Sequence, residues 1–307
     1  MRCFVFPGQG SQTPEMGSAF TDDPAWSLVE QASDVAGRDV GHLLLHADGD
    51  ELVETRNAQL GTFVHSMIVL HALRARGLDA DAVAGHSLGE FSALCAAGVL
   101  GFADAVRLVA ARGDAMQACT TTRTGTMAAV LGLDDVAVTA VCEQADDEVW
   151  VANVNAPGQV VIAGDPAAVD RAGTDAKEAG AKRIIPLDVS GAFHTPFMAP
   201  AGEALGEAIA ATTFHDAHVP VVANVDARVH TQSEEWPELL ERQLVSPVRW
   251  ADSVIKLLDV DIHVFVETGP GTVLTGTIKR LAKDATRHSA MTPDDVDAVA
   301  TALGATT

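Results

Sequence analysis

Hydrophobic positions along the chain follow two kinds of pattern. One recurs every three or four residues, as from Phe63 through Met67 and Leu70 to Leu73, and predicts amphipathic helices. The other consists of short apolar runs that end at turn residues, and predicts strands. Helical spacing covers residues 25–36, 62–76, 88–97, 102–119, 134–144, 166–179, 201–211, 237–245 and 273–285, with a shorter pattern from residue 293. Strand-like runs cover residues 2–6, 81–84, 127–131, 150–154, 159–163, 183–189, 219–224 and 262–267. Their alternation predicts a fold of the α/β class.

Residues 125–190 differ from the rest of the chain in the order of their predicted strands and helices. The two predicted helices in this segment start at acidic caps, Asp134 and Asp165-Pro166, and each lies between predicted strands. The order strand-helix-strand-strand-helix-strand is the split βαβ pattern. We therefore predict a small ferredoxin-like subdomain at residues 125–190, inserted in a large domain formed by residues 1–124 and 191–307.

Composition is that of a folded globular protein. Of the 307 residues, 48% are hydrophobic and 20% are charged, which rules against disorder and allows one large domain with a smaller insert. No apolar run is long enough to span a membrane. A signal peptide needs a longer apolar region than the short run that ends at Phe6, so we expect a cytoplasmic protein.

The formal charge of −22 narrows the set of partners. Nucleic acids and anionic membranes both require a basic surface, so we expect neither as a partner. The cysteines are scattered without a C-x-x-C pair and the histidines show no metal-ligand spacing, so we predict free thiols and no metal.

A candidate nucleophile lies where the predicted strand 81–84 meets the predicted helix 88–97. Gly85-His86-Ser87-Leu88-Gly89 has the form G-x-S-x-G, in which a sharp turn exposes the serine hydroxyl. Glycine at both ends leaves room for that turn and for a close crossing of strand and helix. A glycine-rich turn that happens to hold a serine has the same pattern, so both interpretations stay open at this point.

Three further features of the sequence indicate a function only when they are taken together. The loop Pro7-Gly8-Gln9-Gly10 lets backbone approach a ligand, but it lacks the third glycine of a dinucleotide-binding fingerprint. Arg112 lies within the predicted helix 102–119, where an arginine usually extends to solvent. His194 follows Phe193 in a loop after the predicted small subdomain.

Together these motifs closely resemble the malonyl-CoA:acyl carrier protein transacylase family, which includes the acyltransferase domains of polyketide synthases. The resemblance extends from Phe4 to about Leu281. The motifs that carry it are Pro7–Gln12, Gly85–Glu90, Arg112-Gly113, Gly191–His194, Asn155–Gln159, Gln243–Trp250 and Glu267–Gly271. It implies an α/β-hydrolase-like large domain with an inserted ferredoxin-like subdomain.

Carried over motif by motif, the resemblance implies how the reacting groups are arranged. Ser87 would be the acylated nucleophile and His194 its general base. A backbone carbonyl near Gln243, rather than a carboxylate, would orient that base. The backbone N–H groups of Gln9 and Leu88 would form the oxyanion hole.

The same resemblance implies how the acyl group is selected. Arg112 would pair with the free carboxylate of the malonyl group in a two-point contact that lysine cannot copy. Phe193 would exclude the α-methyl of methylmalonyl by its volume. His86 would line the acyl pocket, and a packing role for it is equally open.

The implied reaction is a ping-pong transfer from malonyl-CoA to the phosphopantetheine thiol of an acyl carrier protein. It needs no cofactor, since malonyl-CoA is a substrate and the phosphopantetheine belongs to the carrier; we expect a monomer. Coenzyme A and carrier proteins are both acidic, so the chain needs a local basic face. The candidates are Lys279, Arg280, Lys283 and Arg287, whose spacing places them close to one side of the last predicted helix, with Arg249 and Lys182. A solvated helix face has the same pattern.

Other functions fit parts of the sequence. A serine esterase or thioesterase would keep Ser87 but place its histidine near the C-terminus, as His263 or His288. A carrier-binding module without activity would not need Ser87, Arg112 and His194 together. A different acyl unit, and the choice between fatty acid and polyketide synthesis, also stay open.

Overall fold

Two β-sheets organise the protein in the computed structural model, which describes residues 1–145, 148–189 and 191–305. The strands are β1 (Arg2–Phe6), β2 (Ala82–Gly85), β3 (Thr126–Leu131), β4 (Val149–Ala156), β5 (Gln159–Gly164), β6 (Arg183–Pro186), β7 (Val221–Val222), β8 (Val229–His230), β9 (Val264–Thr268) and β10 (Thr286–Ala290). A six-stranded sheet has the order β10-β9-β1-β2-β7-β8, and a four-stranded sheet has the order β4-β5-β3-β6.

The helices of the described residues surround both sheets. They are α1 (Ser27–Ala36), α2 (Val40–Leu45), α3 (Gly49–Val53), α4 (Thr55–Ala75), α5 (Gly89–Ala96), α6 (Phe102–Thr122), α7 (Asp135–Gln144), α8 (Pro166–Glu178), α9 (Ala199–Ala210), α10 (Trp236–Gln243), α11 (Trp250–Asp259), α12 (Val273–Leu281) and α13 (Pro293–Ala302). None of them is both long and apolar enough to cross a membrane.

The six-stranded sheet is parallel except for β8, which pairs antiparallel with β7. Alternate residues of β1 enter two different cores: Phe4 and Phe6 pack with the α4–α6 side, whereas Cys3 and Val5 pack with the α11–α12 side. The carboxyl ends of β1 and β2 lie side by side, with Phe6 opposite Gly85. Ligand sites of open parallel sheets lie beyond these ends. We call this sheet and its helices the six-stranded unit.

The four-stranded sheet is antiparallel and is built from β3, α7, β4, β5, α8 and β6 in that order. The helices α7 and α8 cover one face with an aliphatic core that includes Val130, Val138 and Ile162. The opposite face, with Met127 and Ala163, joins the main core of the protein. We call this sheet and its two helices, the described part of residues 126–186, the four-stranded unit.

The predicted α/β class is confirmed, since two sheets alternate with helices along the chain. Residues 146 and 147, and the predicted boundary residue 190, lie outside the described residues. The helix predicted from residue 293 is present as α13. Helices α2, α3 and α11 were not predicted.

The largest error in the predicted elements concerns residues 273–290. The predicted helix 273–285 ends at Leu281, and residues 286–290 form β10, which pairs with β9. Its sequence, Thr-Arg-His-Ser-Ala, contains no large aliphatic residue, and an edge position tolerates that. Sequence periodicity therefore had no signal for this strand.

Candidate active site

Ser87 occupies the turn between β2 and α5 with a backbone φ of +53°, in the left-handed region that non-glycine residues rarely adopt. Its flanking glycines are sterically required. A Cβ on Gly85 would overlap the backbone of Gly89, and a Cβ on Gly89 would overlap the carbonyl of Phe6. The N–H of Ser87 donates to Asn224 Oδ1 at 2.7 Å, so a side chain from beyond β7 holds the strained turn.

His194 lies against the serine. Its Nε2 is 2.8 Å from Ser87 Oγ, and its Nδ1 is 2.8 Å from the backbone carbonyl oxygen of Gln243. Because a carbonyl only accepts, Nδ1 carries the proton and Nε2 is free to accept the serine proton. Burial, and then the positive charge of Arg112, lower the pKa of His194 to about 3, so the imidazole is neutral at neutral pH.

Arg112 reaches the same serine from α6 and is 1% exposed, so it does not extend to solvent. Its guanidinium donates to Gln59 Oε1 at 2.7 Å, Gln243 Oε1 at 2.9 Å and Ser87 Oγ at 3.1 Å. It lies over the ring of Phe91 at 5.5 Å. Burial lowers the pKa of Arg112 to about 10, which leaves it charged at neutral pH. A fixed cation thus lies beside the candidate nucleophile.

Three buried polar side chains that were not predicted as site residues surround Ser87, His194 and Arg112. Gln59 on α4 and Asn224 after β7 are 0% and 1% exposed, and Glu90 on α5 is 1% exposed. Glu90 accepts from the N–H of Asn224 at 2.7 Å and from the side chain of Gln243. The sequence signal that could have identified Glu90 is its position as the one charged residue in the predicted apolar helix that follows Ser87.

The two amides suggested for an oxyanion hole have no competing partner. Among the described residues, the backbone N–H groups of Gln9 and Leu88 donate to no protein acceptor. Leu88 precedes the first turn of α5, where the amides of a helix are free. The loop of Gln9 is held by Gln12, whose side chain accepts from the N–H of Gly10 at 2.7 Å.

A cavity of about 110 Å³ adjoins Ser87 and His194. Apolar side chains form much of its wall, and Phe193, 6% exposed, is among them. The apolar lining residues are Met116, Met127, Leu187, Val189 and Phe193. The cavity is therefore small, with Ser87 and His194 on one side and apolar side chains on the other.

His86 combines the two roles considered for it. It lines the same cavity, and its ring packs edge-on against Trp250 with centroids 5.8 Å apart. Its Nε2 donates to Asn155 Oδ1 at 2.8 Å, which links the six-stranded unit to β4. Burial lowers the pKa of His86, so the ring is neutral in this contact.

The proposed basic helix face is wrong in its geometry. Lys279 and Arg280 lie on α12, but Lys283 lies after its end, and Arg287 on β10 donates to the carbonyl of Ala282 at 2.8 Å. Arg249 pairs with Asp252 at 2.7 Å beside a separate cavity of about 610 Å³ that also reaches His194.

A different basic cluster lies at the edge between the two units. Lys182, Arg183 and Arg280 line a cavity of about 430 Å³ together with Gly132 and Gly158. None of the described residues that line it is acidic. Arg280 donates to Gln159 Oε1 at 2.8 Å.

The histidines of the hydrolase alternative lie elsewhere. His263 is exposed and pairs with Asp261 at 3.1 Å, and His288 lies on the edge strand β10. Among the described residues, His194 is the histidine bonded to Ser87. No group of three metal-ligating side chains is assembled in the same residues.

Comparison with known proteins gives a consistent result across nearly the full chain. A family model described as "Acyl transferase domain" matches residues 3–304. The malonyl CoA-acyl carrier protein transacylase of Bacillus subtilis (strain 168) is 41% identical over 299 residues, covering 96% of this chain and 94% of that protein. The structure of the corresponding transacylase from Coxiella burnetii has a TM-score of 0.95 at 35% identity, covering 98% of this chain and 97% of that one. A malonyl-transacylase in complex with a type II polyketide acyl carrier protein has a TM-score of 0.94 at 36% identity, covering 98% and 99%.

Proposed function

This chain belongs to the acyl transferase domain family, and from that premise we propose that it transfers a malonyl group from malonyl-CoA to the phosphopantetheine thiol of an acyl carrier protein. Relatives that it resembles over nearly their full length are named for this activity, and one is a complex with a carrier protein. The observation that carries the proposal is the buried Arg112, which donates to Ser87 Oγ at 3.1 Å, where Ser87 lines a small and largely apolar cavity. A buried cation at that place selects an acyl group that carries its own carboxylate.

In the first half-reaction, Ser87 Oγ attacks the thioester carbonyl while its proton passes to His194 Nε2. The carbonyl oxygen becomes an oxyanion that the N–H groups of Gln9 and Leu88 stabilise, each by about 3 kcal/mol. The carbon–sulfur bond then breaks, and the proton on His194 goes to the leaving coenzyme A thiolate. A malonyl ester remains on Ser87.

In the second half-reaction the phosphopantetheine thiol replaces coenzyme A. His194 removes the thiol proton, the thiolate attacks the ester, and the same proton returns to Ser87 Oγ when the ester bond breaks. Gln243 supports both halves, because its carbonyl keeps the Nδ1 proton in place and so leaves Nε2 basic. The apolar walls keep water from the ester, which therefore waits for a thiol.

We assign selection of the acyl unit to Arg112 and Phe193, with His86 as a wall of the pocket. The guanidinium offers two N–H groups in one plane, which matches a carboxylate in a way that an ammonium does not. The ring of Phe193 occupies volume in a cavity of about 110 Å³, which leaves little space for a branched acyl chain. We therefore propose malonyl, rather than methylmalonyl, as the transferred unit.

For carrier docking we propose the basic cavity of Lys182, Arg183 and Arg280, with Lys279 and Lys283 near it in sequence. This cavity has no acidic wall residue in a chain whose formal charge is −22. Arg249 is a weaker candidate, because its guanidinium is paired with Asp252.

We also propose the domain organisation in its finer form. An α/β-hydrolase-like large domain would comprise residues 1–124 and 191–307, and a ferredoxin-like subdomain would comprise residues 125–190. Support comes from the parallel sheet with the serine at the end of β2, and from the strand order β4-β5-β3-β6 of the four-stranded unit.

Labelled malonyl-CoA, offered with and without a carrier protein, tests the function directly. We expect a stable malonyl ester on the wild-type protein that discharges only when holo carrier protein is added, and no ester on the Ser87→Ala variant. Rapid release of label to water would instead identify a hydrolase, and absence of label would identify an inactive binding module. A panel of fatty acid and polyketide carriers then identifies the pathway.

A further inference from the structure

Glu90 is a buried carboxylate that the mechanism above does not use. It lies on α5, three residues after Ser87, and is 1% exposed. One oxygen accepts from the backbone N–H of Asn224 at 2.7 Å, and the other accepts from Nε2 of Gln243. Burying a carboxylate is costly, so its contacts deserve a functional explanation.

Both partners of Glu90 hold reacting groups. Asn224 accepts the N–H of Ser87 at 2.7 Å and donates to the carbonyl of Gly85 at 2.7 Å, so it fixes the turn of the nucleophile. Gln243 accepts the Nδ1 proton of His194 through its backbone, and its side-chain oxygen accepts from Arg112 at 2.9 Å. One carboxylate thus lies behind the nucleophile, the base and the acyl-selecting cation.

We propose that Glu90 is a positioning residue for acyl transfer, and that it must be ionised to hold Gln243 and Asn224 in their active orientations. The proposal rests on the proposed function, because it concerns the alignment of Ser87, His194 and Arg112 for that reaction.

The hydrogen bonds around Gln243 fix the orientation of its side-chain amide. The side-chain nitrogen of Gln243 already donates to the carbonyl of Ser87 at 2.9 Å and to Glu90, while its oxygen faces Arg112. Rotating this amide by half a turn would set an N–H group against the guanidinium and an oxygen against the Ser87 carbonyl. The amide therefore has one satisfactory orientation, and it requires an acceptor at Glu90.

Protonation of Glu90 would weaken that acceptor, since a neutral carboxyl group accepts less strongly than a carboxylate. It would also add an O–H group between the N–H of Asn224 and the side-chain nitrogen of Gln243, which are both donors. The charged groups that face Glu90 are Arg112 on α6 and Asp226 after β7, and α5 carries no other charge. Burial raises the pKa of Glu90 to about 7, against the opposing effects of its donors and Arg112, so the ionised form is lost just below neutral pH.

This titration is separable from that of the base. His194, with its pKa lowered to about 3, stays neutral well below the range in which Glu90 takes up a proton. An acid limb near neutral pH in the rate of ester formation is therefore expected from Glu90.

The test is single-turnover formation of the malonyl ester from about pH 5 to about pH 9, with thermal unfolding measured in parallel. Wild type should lose rate on the acid side with a midpoint at about pH 7. Glu90→Gln should be slower by about tenfold to hundredfold at the alkaline end, since misplaced reacting groups cost that much, and should lack the acid limb.

Glu267→Gln is the matched control. Glu267 is also fully buried, but it accepts from the amides of Leu274 and Thr275 at the start of α12. Its loss should lower the unfolding temperature and leave the acid limb in place. Glu90→Asp is the alternative if Glu90→Gln does not fold. It keeps the charge, but its side chain is one methylene too short to reach both donors. It should form the ester slowly and still lose rate on the acid side.

An unchanged acid limb in Glu90→Gln, or a rate within about twofold of wild type in either Glu90 variant, would overturn the proposal, because misplacement should cost more than that. Failure of the wild-type protein to form any ester would overturn the proposed function itself, and this inference with it. Normal ester formation with an unchanged Glu90→Gln profile would overturn the positioning role alone.

Discussion

The two sheets contribute to the site in different ways. Ser87, His194 and Arg112 all belong to the six-stranded unit, which also buries Glu90 and Gln243 beside them. Among the described residues, the four-stranded unit buries a single polar side chain, Asn153, and its own core is almost entirely aliphatic. The proposed reacting groups thus lie in a buried polar network, whereas the four-stranded unit contributes Met127 and Asn153 to the wall of the cavity beside Ser87.

The topology explains this difference. In the parallel sheet, the loops after β1 and β2 leave from the same edge, and segments after β7 and α10 reach that edge as well. In the antiparallel sheet, both helices lie on one face, so the other face is free to cover the cleft.

A few polar contacts join the two units near the site. His86 donates to Asn155 on β4, and Arg280 on α12 donates to Gln159 on β5. Backbone hydrogen bonds also join β4 to Val248, from Val154 N to Val248 O at 2.9 Å and from Val248 N to Ala152 O at 2.9 Å. Substitutions in the six-stranded unit should therefore have larger effects on activity than substitutions on the other side of these contacts.

Arg112→Ala should show the largest effect of the four. Malonyl-CoA should be used about a hundredfold to five-thousandfold less efficiently, because removing one partner of a buried charged group costs about 3 to 5 kcal/mol. Acetyl-CoA, which has no carboxylate, should be tolerated. Initial rates with both thioesters measure the ratio, and Arg112→Lys, which keeps the charge without the two-point geometry, should fall between. Unchanged malonyl kinetics in Arg112→Ala would contradict the assignment.

Phe193→Ser should change which acyl unit is loaded more than how fast the reaction runs. The space opened in the cavity should favour methylmalonyl over malonyl by about 1 to 3 kcal/mol, the usual range for one methyl group. Competition between the two thioesters measures it. Phe197→Ser makes the same change in the same loop outside the acyl cavity, and should lower stability without altering that ratio. An equal shift of this ratio in both variants would show that Phe193 does not determine which acyl unit is loaded.

The limits of the sequence are visible in the six-stranded unit itself. The elbow around Ser87, the loop of Gln9 and the histidine motif are local patterns, so the sequence indicates them directly. The supports of Arg112 are not local: Gln59 precedes it by 53 residues and Gln243 follows it by 131. No periodicity reports which polar side chains converge across such separations, and Asn224 was missed for the same reason. Glu90 is close to Ser87 in sequence, but its partners Asn224 and Gln243 are 134 and 153 residues away.

The basic residues show a second limit. Their spacing along residues 279–287 predicted one helix face, but α12 ends at Leu281 and the chain continues into β10. The basic cavity instead combines Arg280 with Lys182 and Arg183, almost one hundred positions earlier. Clusters assembled from distant segments depend on where each helix ends, and ends are the least certain part of a sequence-based assignment.

Asn155→Ala tests the contact between His86 and the four-stranded unit. Loss of the acceptor leaves a buried N–H of His86 unsatisfied, which costs about 1 to 3 kcal/mol. We expect a moderate fall in kcat/KM, of about tenfold, with a small fall in unfolding temperature, because the pocket wall is displaced while Ser87 and His194 stay bonded. Asn155→Asp, which keeps an acceptor, should recover most of the rate. A loss as large as that of Arg112→Ala would mean that this wall takes part in the chemistry.

The smallest effect is expected at the basic cavity. Lys182→Glu combined with Arg280→Glu reverses the charge of two exposed side chains away from Ser87, so formation of the malonyl ester should be nearly unchanged. Transfer to an acidic carrier protein should show a KM raised by about threefold to tenfold, since rim charges act mainly on encounter. The difference should shrink as salt rises, because a Debye length of about 8 Å at physiological ionic strength already limits such interactions. Lys256→Glu combined with Arg228→Glu gives the same change in net charge outside that cavity, and should leave the KM unaltered. Equal KM values for the two double variants would show that overall charge, and not this cavity, governs recognition of the carrier.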